Sequence, residues 1–156
     1  DLEAKKVVFE NDMESSKAVK NKVTAIRTLQ GYMKEENNYL AEKAQVNSVI
    51  NKAIVDIKAV KAPADAEDVV EAEEVIINEI IAEVDELRTN YADLDKARDT
   101  KIGELTTERN AEDTTVERKI AIDNKIKEIK AIVLDLSKKD DVSDPYGLNA
   151  AKNKLN

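Results

Sequence analysis

Apolar residues recur along most of this chain at alternating steps of three and four, the spacing that lays side chains on one stripe of an α-helix. In the first sixty residues Val19, Ile26, Met33, Leu40, Asn47 and Ile54 fall seven apart, flanked by Val23, Leu29, Ile50 and Ile57. Gly31 lies inside that run without shifting its phase, so the helix reads through it at a cost of about 1 kcal/mol relative to alanine. A second heptad register runs from Val70 to Leu136. One of its core positions holds Val70, Ile77, Val84, Tyr91, Arg98, Leu105, Glu112, Lys119, Ile126 and Val133; the other holds Glu73, Ile80, Leu87, Leu94, Lys101, Glu108, Thr115, Ile122, Ile129 and Leu136.

Pro63 separates the two registers. Proline donates no backbone hydrogen bond and its ring clashes with the preceding turn, so a helix ends or kinks there. Asp65 then stands as N-cap, with Glu67 and Asp68 in the first turn. The pattern predicts an all-α protein, an elongated antiparallel helical hairpin or coiled-coil bundle spanning residues 1–139, with two long helices at about 2–61 and 65–138. Residues 140–156 complete it with a turn and a short C-terminal segment, and Asp144-Pro145-Tyr146-Gly147 fits a type I turn. Between Arg98 and Lys119 the seam is polar except at Leu105, and it contains Gly103, Thr106, Thr107, Asn110, Thr114 and Thr115. Two readings stand: one continuous helix, or a bend near Asn110 that makes a third.

Composition narrows the chemistry. The 156 residues include no histidine and no cysteine, which removes the usual general base, the commonest transition-metal ligand and all thiolate chemistry. There is no glycine-rich phosphate loop, so the chain reads as a non-enzyme without a tightly held cofactor. A net charge of −8 without a basic stripe disfavours nucleic acid as a partner. No apolar run approaches the roughly 20 residues needed to span a bilayer, so no membrane is expected either.

Charge is unevenly placed. Residues 65–86 carry ten acidic side chains and no basic one. Asp65, Glu67, Asp68, Glu71 and Glu74 form the candidate site for weak calcium binding, weighed against a plain solvated face, because carboxylates along one straight helix do not converge on an ion. Asn47 on the first seam is a candidate for fixing register, as a lone polar core residue does in coiled coils. In a hairpin closed at Pro63 the first helix is used up near residue 125. Ile126, Ile129, Ile132, Val133 and Leu136 would then project as an assembly interface, unless the C-terminal segment or a folded-back helix covers them. Burial of each such side chain is worth about 1.5–3 kcal/mol.

In its acidic, heptad-rich character, poor in aromatics, and in stretches such as Leu87-Arg88-Thr89-Asn90-Tyr91-Ala92-Asp93-Leu94, the chain resembles the matrix proteins of ciliate trichocysts and related secretory granules. The resemblance implies subunits cut from precursors that pack into a lattice responsive to calcium. Asp1 fits a processed terminus or a trimmed boundary; processing would place the protein in secretion or in a secretory granule. The expected function is a structural, self-assembling coiled coil forming a filament or lattice, its partners being further copies or homologous helical subunits. The alternative is a helical-bundle binding module of a bacterial or phage surface protein.

Overall fold

The computed structural model describes residues 2–156, with every side chain among them except those at 4 and 6–15; Asp1 lies outside the described residues. Their regular structure is entirely helical, as expected: α1 (Leu2–Met33), α2 (Leu40–Lys58), α3 (Val69–Arg109), α4 (Val116–Lys130) and α5 (Leu148–Asn153), with short 3₁₀ turns at Leu136–Lys138 and Pro145–Gly147. The chain forms two compact units. One comprises Asp1–Glu35 and Asn47–Asp85, the other Glu36–Val46 and Glu86–Asn156.

The first unit is built from α1, most of α2 and the first part of α3. Its core consists of Ala25 and Leu29, of Ile50, Ala53, Ile57 and Val60, and of Val70, Ile77 and Val84. The seam expected on Val19, Ile26 and Met33 is displaced. Leu29, Ile50 and Ile57 are fully buried whereas Val19 is 60% exposed, so the flanking positions carry the core. Where α2 ends, Lys22 Nζ donates to the carbonyls of Lys58 (3.4 Å) and Val60 (2.8 Å), placing a cation on the negative end of the helix dipole. The N-cap of α3 is Asp68 rather than Asp65: its Oδ1 accepts from the Glu71 N–H at 3.0 Å. Asp65 lies one turn too early, in a loop closed by the Ala66 N–H on the Pro63 carbonyl.

The helix expected over 2–61 is interrupted at 34–39, and the one expected over 65–138 at 110–115. Gly31 is not the first breaker, for α1 runs through it. The chain leaves the helix afterwards, with the Lys34 and Glu35 N–H groups closing tighter bonds on Gly31 and Tyr32, and Asn37 Oδ1 accepts from the Tyr39 N–H at 2.8 Å. An asparagine side chain that mimics a backbone turn competes well with helix, and here it wins. Leu40, which kept the heptad count in phase, is 80% exposed; its phase was coincidental. A methyl at Gly31 would meet nothing within 4 Å. Gly31→Ala is therefore expected to raise stability by about 1 kcal/mol, read as a rise in the urea midpoint at unchanged slope; a loss would show that the glycine serves the break after all.

The second interruption is the bend near Asn110. Thr115 caps α4 by accepting from the Arg118 N–H at 3.1 Å. Exposed pairs Arg109–Asp123 (2.7 Å) and Arg118–Glu108 (2.8 Å) flank the turn; at such exposure each adds little stability. With α4 turned back, this unit buries Tyr39, Leu87, Tyr91, Leu94, Leu105, Ile122, Ile129, Ile132, Leu134, Tyr146, Ala151 and Leu155.

In the C-terminal segment the Gly147 N–H bonds to the Asp144 carbonyl at 2.9 Å. The turn is present, but Tyr146 at φ 59°, ψ 10° gives it type II geometry in place of type I. That conformation keeps the Tyr146 side chain buried. The Asp144 carboxylate is left to accept from the N–H groups of Asn149 and Ala150 at the start of α5.

Candidate functional site

The polar group with the most unusual surroundings is Arg98. It occupies a core position of the α3 heptad, where Leu94 precedes it by one turn, and its side chain is fully buried. Every nitrogen of the guanidinium is used. Nε donates to Asp95 Oδ1 at 3.1 Å, Nη2 to Glu42 Oε1 at 3.0 Å, and Nη1 to the carbonyls of Ile129 (3.1 Å) and Ile132 (3.0 Å). Those two carbonyls lie at the C-terminal end of α4 and just beyond it, where the helix leaves acceptors underused; Ile129 also accepts from the Ile132 N–H at 3.3 Å. The Tyr39 ring lies 4.2 Å from the guanidinium carbon, a cation–π contact.

A second layer surrounds the first. Asn37 Nδ2 donates to Glu42 Oε2, Tyr39 Oη to Asp99, and Tyr91 Oη to Gln45 Oε1. Tyr91 Oη also accepts from the Leu134 N–H at 3.1 Å, and Gln45 Nε2 donates to the Leu134 carbonyl at 2.9 Å. The effect is to pin the strand-like segment after α4 onto α2 and α3 by its own backbone.

Burial, then a hydrogen bond with the neighbouring Asp95 carboxylate, push Glu42 up to about 8, because a carboxylate taken out of water loses the hydration that favours its charged form. Burial likewise raises Tyr91 to about 12 and lifts Tyr39 above the usual phenol range, the latter helped by Asp99. A carboxyl poised near neutrality suits acid–base work when a substrate can reach it. Glu42 is 3% exposed and Arg98 not at all, and the pair ties α2 and α3 to the end of α4.

The sequence-derived candidates do not join this cluster. Asp65, Glu67, Asp68, Glu71 and Glu74 are exposed, and among the described residues no group of three acidic side chains converges as a metal would require. Asn47 is half-buried in α2. The expected overhang is corrected. Ile129 is fully buried and Ile132 nearly so, Ile126 is partly covered, and only Val133 and Leu136, each 39% exposed, remain at the surface. The bend at 110–115 brings α4 back, and the C-terminal tail lies along it, with Lys125 Nζ donating to the carbonyls of Lys154 (3.0 Å) and Asn156 (3.4 Å).

The position of Glu42 is readable in the apolar spacing of α2. Stepping back from Ile57 by threes and fours through Ala53, Ile50 and Val46 reaches Glu42 and Tyr39, so the buried stripe of α2 passes through it. A carboxylate on one core stripe and Arg98 on another is the pattern of a buried pair.

A groove in the first unit, about 660 Å³, is lined by Lys17, Lys20, Asn21 and Thr24 of α1 and by Glu74 and Ile77 of α3 among others. Asn21 Nδ2 is buried there without a hydrogen-bond partner. No helix among the described residues is long and apolar enough to cross a membrane. Comparison with protein-family models, with curated proteins and with solved structures finds no match to this chain.

Proposed function

We propose that this is a structural, self-assembling protein whose helices associate through heptad seams, coiled-coil fashion, into a filament or lattice. The observation that carries the reading is the division of labour between inside and outside. The polar groups able to do chemistry are consumed in closing the second unit, while large apolar side chains stand exposed, in pairs at helical spacing as Val19 and Val23 on α1 and Val116 and Ile120 on α4, and singly as Val75 on α3. Coiled-coil packing is supported by α3, where Val70, Ile77, Val84, Tyr91, Arg98 and Leu105 are all buried. The reading assigns no catalytic residue. A granule-matrix role of the kind found in ciliates, with packing that responds to calcium, belongs to the same proposal; calcium would act by diffuse screening of the exposed carboxylates from Asp65 to Glu74.

Sedimentation of the wild-type chain across micromolar concentrations, with and without calcium, tests it. Mass growing with concentration is the expected result; a monomer at every concentration, indifferent to calcium, would refute it. The second reading is a binding module, favoured by the groove on Asn21, whose unpartnered amide marks a place where an incoming polar group gains a hydrogen bond. A monomer that captures a ligand through that groove would establish this reading instead.

A further inference from the structure

Helices α1 and α3 carry outward stripes of opposite charge. Residues 16–34 contain five basic side chains and no acidic one; residues 65–86 contain ten acidic and no basic. On α1 the face turned away from buried Ala25 and Leu29 presents Lys20, Val23, Arg27, Gln30 and Lys34, all exposed and stepping by three and four. On α3 the face turned away from Val70, Ile77 and Val84 presents Glu71, Val75, Glu79, Ala82 and Glu86, likewise exposed and stepping by three and four, while Lys20 of the α1 stripe borders the groove between the helices. Each is a coiled-coil seam in spacing, with charged groups flanking a small apolar centre; Val75 is 52% exposed. Lys20, Arg27 and Lys34 form no ion pair with any described residue. At 1.5 Å per residue the stripes are about 21 and about 22 Å long.

We propose that the outer stripe of α1 from Lys20 to Lys34 docks on the outer stripe of α3 from Glu71 to Glu86 of a second copy of this chain. The inference rests on the self-assembling reading and names its interface. The occupant follows from charge. Two α1 stripes or two α3 stripes brought together would juxtapose like charges, which is destabilising, whereas one of each is complementary. Because both stripes belong to one chain and lie on different helices, the contact is heterologous: each copy has one of either kind to offer. Such a contact propagates unless its rotation closes a ring. The stripes are exposed and charged, so association weakens as salt rises.

The experiment uses two full-length variants, Lys20→Glu/Arg27→Glu/Lys34→Glu and Glu71→Lys/Glu79→Lys/Glu86→Lys, each checked for wild-type helicity by circular dichroism. Wild type is expected to assemble, and to lose assembly at high salt. Either variant alone is expected to sediment as a monomer, and an equimolar mixture to recover the wild-type size, since each reversed stripe then meets its new complement. Recovery on mixing also shows that both variants fold. If wild type assembles and the variants do so unchanged, this interface is wrong while self-assembly stands. Loss of assembly that mixing fails to restore overturns it too. A wild-type chain that stays monomeric at low salt removes the self-assembling reading, and the interface with it.

Discussion

Replacing Arg98 by alanine is expected to destabilise the protein by about 3–5 kcal/mol, the cost of removing one member of a buried, hydrogen-bonded charge network in which the guanidinium pairs with Asp95 and hydrogen-bonds the Glu42 carboxyl. Its removal leaves the Glu42 carboxyl facing a void, deprives the Ile132 carbonyl of its donor and the Ile129 carbonyl of one of two, and strips the Tyr39 ring of its cation. An orphaned buried acceptor costs its full desolvation. The double variant Arg98→Met/Glu42→Leu removes both polar groups and fills the space, and is expected to lose much less than Arg98→Ala alone. Urea denaturation followed by circular dichroism measures both. If Arg98→Ala falls by less than about 1 kcal/mol, the level of a surface pair, the network is not what holds α4 in place.

The second large effect is on pH. The unfolded chain releases the Glu42 proton near the ordinary 4.5, whereas the folded chain holds it to about 8. Between those values the folded state binds the extra proton, so stability falls as pH rises and is flat again above about 8. Below about pH 4 stability falls for a different reason: Asp123, Asp135 and Asp141, held below the usual carboxylate range chiefly by hydrogen bonds from Arg109, Ser137 and Ser143, lose those contacts on protonation. The optimum is therefore expected on the acid side of neutrality. Absence of histidine and cysteine makes the test clean, since no other ordinary side chain titrates between pH 5 and 8. Glu42→Gln should abolish the slope over that interval; an undiminished slope in that variant would assign it elsewhere.

The fold class was legible because α3 obeys its heptad register from Val70 to Leu105 without exception at one core position. The breaks were harder to see. Around Asn37 the decisive bond runs from one side chain to a nearby N–H, and it costs the heptad pattern nothing, because Leu40 falls seven residues after Met33 whether or not a helix joins them. The bend near Asn110 was half visible, in the polar and threonine-rich run that weakens α3 beyond Leu105. The buried cluster was hidden by the habit of reading charges as surface. Arg98 interrupts an apolar seam, and Glu42 sits on another, but only the three-dimensional path of α4 supplies the carbonyls that complete the set.

Beyond the local bond to Asp95, the partners of the Arg98 guanidinium lie 31, 34 and 56 residues away along the chain. Helices form from local contacts, and bonds that close such long loops come after them. Interactions absent from the folding transition state govern how fast a protein opens and leave its rate of formation largely untouched. Arg98→Ala is therefore expected to speed unfolding more than it slows folding, a split that stopped-flow kinetics would read as a shorter lifetime of the closed α4.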